Sequence, residues 1–326
     1  MSKKALEQKL AALETLRADA ASPQTVAALR KALQDPNNYY VSKAAAIAAE
    51  FALTDLIPDL LAAFDRFLVN PVKSDPQCWA KNAIAKALKD FAYDDASFYL
   101  RGIKHIQMEP VWGGSEDTAA TLRGVCAFAL TTCSIPRAEA MRHLVDLLAA
   151  DTEKTVRMES ALAIAQLGGI ESILLLRLKA LAGDREPEVI GQCFTGLLDL
   201  SPVDYIPFVA GFLQADNDLR FEAAAALAEL PDPDAVTAVT AHFAKSRNGE
   251  TRRAIVLSLG ASRLEPARDF LLTVLADREI EEAIASVRAL AASRFQDEVK
   301  DRVRSLAAHR ADPRLNAAIL KEFSRS

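Results

Sequence analysis

The chain has 326 residues, 51% of them hydrophobic and 25% charged, with a formal net charge of −5; it is long enough for a large core and too apolar for disorder. Only 12 glycines and 6% aromatics, against abundant alanine and leucine, make a helix-forming composition poor in the residues that sheets favour. No run of about 18 uninterrupted apolar residues is present, so no transmembrane helix is expected, and the acidic total argues against nucleic acid as a partner.

Residues 1–34 read as N-terminal capping helices. The opening MSKKALEQKLAALETLRADA starts basic, but Glu7, Glu14 and Asp19 interrupt the stretch where a signal peptide would be apolar. Residues 35–135 read as longer, irregular repeats, in which Tyr39, Tyr40 and Trp79 stand at the starts of alanine-rich helices. After a helix around 96–106 comes QMEPVWGGSED, residues 107–117, an apolar loop that breaks the array and carries Met108, Val111 and Trp112. Such an insertion either plugs a groove of its own chain or anchors a partner. Residues 136–311 read as regular short repeats. Met141, Leu144, Val145 and Leu148 form one helical stripe, Val156, Ser160, Ala163, Ile164 and Leu167 another, and Ala267, Phe270, Leu271, Val274 and Leu275 a third. Residues 312–326 read as a C-terminal capping helix. No segment alternates long enough to predict a strand.

A turn acid precedes most alanine-rich helices: Asp35, Asp75, Asp117, Asp151, Asp184, Asp216, Asp277 and Asp312, with Asn248 in the turn before RRAIVLSLG. The intervals are about 40 residues at first and about 29–35 later, two helices per unit, which is the period of an α-solenoid. The expected fold is all-α: a right-handed α-solenoid of about nine antiparallel helix pairs, eighteen or nineteen helices, in one continuous domain over 1–326.

The recurring D-x(4)-V-R-x-x-A-A-x-A-L pattern resembles a HEAT repeat. It is clearest at Asp151, Val156, Arg157, Ala161 and Ala163, at Asp117, Leu122, Arg123, Ala127 and Ala129, and at Leu219, Arg220, Ala224 and Ala226; at 184–198 Ile190 replaces the arginine. The shorter later units resemble the HEAT-like subtype first recognised in phycobilin lyases. The resemblance implies that the second helix of each pair lines the concave side. It also implies a ladder between turn acids and basic residues, here Asp75, Asp117, Asp151 and Asp216 with Lys81, Arg123, Arg157, Arg220 and Arg252; ligand contact by one or more of these cations is the alternative.

No metal, cofactor or catalytic set is read. His105, His143, His242 and His309 are not spaced as ligands, and no HExxH, GxSxG, phosphate loop or EF-hand loop occurs. Cys78, Cys126, Cys133 and Cys193 form no CxxC pair and suit reduced thiols in a cytoplasmic protein. Residues 245–326 hold 16 Lys+Arg against 12 Asp+Glu; the excess could steer an acidic partner, but interleaved acids give it the look of a solvated face.

The function expected is therefore non-enzymatic: a scaffold or adaptor that binds another protein, with Tyr39, Tyr40, Trp79 and Trp112 as candidate contact residues. A bilin-lyase-like enzyme and a nucleic-acid-binding relative of the alkylpurine DNA glycosylases are the alternatives that the resemblance allows.

Overall fold

Prolines and short polar side chains fix where the helices begin. Ser22 accepts the Thr25 N–H and Asn37 the Tyr40 N–H, while Asp95, Asp232 and Asn248 cap later helices the same way. Pro23, Pro58, Pro187, Pro202, Pro233 and Pro266 occupy first turns, where the absent N–H costs nothing. The computed structural model describes residues 3–19 and 22–323; residues 1–2, 20–21 and 324–326 of the predicted capping segments lie outside the described residues.

Two compact units follow one another, Met1–Leu167 and Gly168–Ser326. The first holds α1 (Lys3–Thr15), α2 (Pro23–Leu33), α3 (Asn38–Glu50), α4 (Ile57–Leu68), the single turn α5 (Pro71–Ser74), α6 (Trp79–Asp90), α7 (Ala96–Gly102), α8 (Ala120–Ala129), α9 (Arg137–Ala150) and α10 (Lys154–Leu167). Its second helices stack in order, α3 on α6, α6 on α8 and α8 on α10, with α2, α4, α7 and α9 behind them. Alanines make the close approach possible: Ala44, Ala45 and Ala48 of α3, Ala80, Ala85 and Ala87 of α6 and Ala161 and Ala163 of α10 are fully buried. Gly102 packs so tightly on α8 that a Cβ there would lie 2.2 Å from the Cys126 sulfur.

The second unit holds α11 (Gly169–Ala182), α12 (Pro187–Leu200), α13 (Pro202–Gly211), α14 (Leu219–Glu229), α15 (Pro233–Lys245), α16 (Gly249–Ser258), α17 (Glu265–Asp277), α18 (Ile280–Ala292), α19 (Gln296–Arg310) and α20 (Pro313–Phe323). Here α12, α14, α16, α18 and α20 stack in one layer and α13, α15, α17 and α19 in the other. The described residues form 20 α-helices, α5 being a single turn, and the fold is all-α as the repeat pattern requires.

One expectation needs correcting. Residues 107–117 are not a loop but an antiparallel β-hairpin, β1 (Met108–Val111) and β2 (Gly114–Asp117), with Val111 opposite Gly114. The two-residue turn is Trp112–Gly113, and Gly113 takes φ +90°, a conformation open to glycine at the third position of a type II turn. Four residues per strand are too few for a period of two to show, and Pro110 counts against a strand in sequence.

Candidate functional site

The turn before α6 is the centre of the site. Asp75 is fully buried; its carboxylate accepts the backbone N–H groups of Ala80 and Lys81, the Lys81 ammonium at 2.9 Å and the Asn38 amide at 2.9 Å. Lys81 is equally buried and also donates to the Phe67 carbonyl. Gln77 and Cys78 follow with φ of +63° and +53°, two adjacent non-glycine residues in the left-handed region, which needs outside support.

That support comes from the hairpin. Glu109 points inward and accepts the Gln77 N–H at 2.7 Å, the Gln107 amide at 2.6 Å and the Thr118 hydroxyl at 2.8 Å. Gln107, 1% exposed, also donates to the Asp75 carbonyl, and its own N–H goes to Asp117. Asp117 then takes Arg123 at 2.6 Å, and Arg123 reaches on with two more nitrogens to both oxygens of Asp151 at 2.8 and 3.0 Å. A continuous buried polar chain thus joins the N-terminal turns of α3, α6, α8 and α10. Burial alone would raise the Glu109 and Asp117 carboxyls. For Glu109 the bonds from Gln107, Thr118 and Gln77 outweigh it, and for Asp117 those from Gln107, Ala119 and Arg123, so both lie below the ordinary carboxylate range. Burial pushes the His105 imidazole below its usual range, and the His105 backbone carbonyl accepts from Arg123 at 3.0 Å.

The hairpin outside this network exposes apolar side chains beside Gln77, Ser115 and Glu116. Trp112 at the hairpin tip is 103% exposed, Met108 50% and Val111 40%, so the hairpin fills no groove of its own chain. Trp79, 46% exposed, stacks on Tyr39 with ring centroids 5.1 Å apart, and Lys43 lies over the Tyr39 ring. Tyr40 pairs instead with Lys9. Two of the four predicted aromatics therefore touch, and Trp112 makes no ring contact with the others. A shallow groove of about 530 Å³ runs across α6, α8 and α10, with Val125, Phe128 and Leu162 on its floor, Lys86 and Lys89 from α6 and Glu159 from α10.

The basic residues divide into two geometries. Lys81 and Arg123 stand six residues after their turn acid and bond to its carboxylate. Arg157, also six after Asp151 and 3% exposed, donates to the Asp151 and Thr152 backbone carbonyls at 2.8 and 3.1 Å. Arg220 does not meet Asp216, which is exposed; it pairs with Glu250 at 3.0 Å. Arg252 likewise reaches Glu282 at 2.9 Å. Arg220 and Arg252 come only four residues after Asp216 and Asn248. Two residues fewer turn the side chain by about 200° around the helix, away from its own turn and toward the next repeat. Glu109, Gln107, Asn38 and Thr118 were not singled out by sequence; an acid and a glutamine in an apparent loop give no sign that they are buried. Among the described residues no group of three His, Cys, Asp or Glu could hold a metal ion.

Residues 174–260 match the family model of HEAT repeats. No curated protein sequence matches the chain. Among solved structures, human deoxyhypusine hydroxylase in complex with glycerol is similar at 17% identity and a TM-score of 0.30, over 78% of this chain and 90% of that one. The segment 174–260 thus carries HEAT repeats, and helix pairs stack in two layers in each unit of an all-α fold.

Proposed function

We propose that the protein is a non-enzymatic binding scaffold whose recognition element is the 108–117 hairpin, with Trp112 inserted into an apolar pocket of a partner protein. The observation that carries the reading is the full exposure of the Trp112 ring on a hairpin whose base is bonded into a buried network. An indole held in water by a fixed backbone loses hydration cost on docking and gives up little entropy. Trp79 and Tyr39 form a second aromatic pair, at the starts of α6 and α3. A network whose polar groups satisfy one another orders the hairpin and offers it as a preformed surface.

The test compares wild-type and Trp112→Ala protein as baits in one cell extract. The expected result is a protein retained by the wild type and depleted at least about tenfold by the variant, the loss typical of a hot spot, with coincident thermal melts. Equal capture by both baits would remove the hairpin from recognition.

A further inference from the structure

In the first unit Arg123 reaches across to the following turn, where two of its nitrogens donate to the two oxygens of Asp151. Arg220 holds the corresponding place in the second unit. Helix α14 packs on α16 as α8 packs on α10, and the residue 28 positions on, which is Asp151 for Arg123, is Asn248 for Arg220. Asn248 carries no charge, and its side-chain oxygen is taken by the Glu250 and Thr251 N–H groups at the start of α16. The Nε of Arg123 donates to Asp151 at 2.8 Å, whereas the Nε of Arg220 is buried with no hydrogen-bond partner. A buried donor in that state costs free energy that an added acceptor would relieve. A pocket of about 350 Å³ opens between the turn before α14 and the turn before α16, and Arg220 is part of its wall.

The wall is cationic. Lys245 and Arg247 join Arg220 in it, against the one carboxylate of Asp216. Lys245 and Arg247 are exposed and have no ion-pair partner among the described residues. The Glu250 carboxylate that meets Arg220 is 64% exposed and stands outside the pocket wall, so it holds the guanidinium weakly. Burial, with Lys245 nearby, keeps the His242 imidazole below its usual range, so at neutral pH it adds no charge. Thr251 also lines the pocket; it is only 6% exposed, and its hydroxyl has no partner among the described residues. We propose that the pocket binds a phosphate monoester, whose dianion does for Arg220 what Asp151 does for Arg123. Three cations against one carboxylate leave an excess of two positive charges, which a dianion neutralises. Three cationic side chains and a free hydroxyl also suit the several acceptor oxygens of a phosphate better than the two of a carboxylate. The volume leaves room for the group that carries the ester.

The pocket lies wholly in the second unit and stands or falls separately from the hairpin. The test is isothermal titration of the full chain at constant ionic strength, with inorganic phosphate, the blocked peptide Ala-Ala-phosphoserine-Ala-Ala, and acetate as probes. The expected result is a millimolar or tighter Kd for a phosphate probe and at least about tenfold weaker binding of acetate. A peptide at least about tenfold tighter than inorganic phosphate identifies a phosphorylated protein segment as the source, and equal or weaker peptide binding a small phosphate ester; both support the pocket. The Lys245→Gln, Arg247→Gln double variant should lose at least about tenfold in phosphate affinity with an unchanged Tm, both side chains being exposed. Asn248→Asp keeps the helix cap and restores the turn acid, and should also weaken phosphate at least about tenfold. No binding of either phosphate probe up to about 20 mM, acetate bound as well as phosphate, or wild-type affinity in either variant would each overturn the proposal.

Discussion

The carboxylate of Glu109 accepts the backbone N–H of Gln77 at 2.7 Å, so the hairpin closes the turn from which α6 starts. Two left-handed residues there cost roughly 1–2 kcal/mol each, and Glu109 holds them while also satisfying Gln107 and Thr118. Glu109→Ala should lower stability by about 2–4 kcal/mol, because three donors lose their acceptor. Hydrogen exchange should show the amides of 108–117 opening before the rest of the unit. A denaturation curve matching the wild type would mean that the turn is held by other contacts.

The same carboxylates set a pH response. The folded values of Glu109 and Asp117 are depressed, so their stabilisation is complete above the ordinary carboxylate range and is lost as pH falls through the lower folded values. Tm should be flat down to about pH 5 and fall progressively below about pH 4. Glu109→Gln should make that acid decline shallower, and an unchanged slope would exclude Glu109 as a contributor.

The two ladder geometries should differ in cost. Arg123→Ala strands Asp117 and Asp151, whose side chains are only 3% and 9% exposed, and should cost about 3–5 kcal/mol. The Glu250 partner of Arg220 is 64% exposed, so Arg220→Ala should cost about 1 kcal/mol or less. Equal costs by urea denaturation would contradict the distinction.

Tryptophan fluorescence reads the hairpin directly. The chain has two tryptophans, and Trp79→Phe leaves Trp112 alone. Its emission should be that of an indole in water and its acrylamide quenching close to that of a free model compound. Emission shifted to the blue in the isolated protein would place the ring under cover.

The thiols should be nearly silent. Burial pushes Cys78 and Cys193 up to about 12 and Cys133 up to about 11, and Cys126 higher still. An aromatic disulfide reagent at about pH 8, close to the ordinary thiol value, should label only Cys133, slowly, in the native protein and all four thiols after unfolding. Fast labelling of two or more would show that a helix opens around them.

Much of the fold was legible because one apolar face repeats with helical spacing, and because Pro23, Pro202 and Pro233 mark first turns. The site was legible only in part. Trp112 stood out by residue type, and Asp117 and Arg123 by the repeat. The hairpin did not, since Pro110 and a Trp-Gly turn lack the usual strand and hairpin signals. Nor did Glu109, because whether an acid is buried depends on partners such as Gln77, 32 residues away in the turn before α6. Arg220 misled for a different reason: its frame within the alanine helix matches Arg157, but its distance from the turn acid does not, and that distance decides which way the guanidinium points.

Repeat arrays commonly gain or lose whole modules in evolution, because each module touches only its neighbours through interchangeable apolar faces. The polar chain from Asn38 through Asp75, Gln107 and Asp117 to Arg123 and Asp151 removes that freedom in the first unit. Excising one helix pair between α3 and α10 would leave a carboxylate or a guanidinium in the interior with no counter-charge, a larger penalty than any lost apolar contact. The number of modules in that unit is thereby fixed by charge matching. In the second unit the pair made by Arg220 ends on Glu250, which is 64% exposed, and removing a module there strands no buried carboxylate.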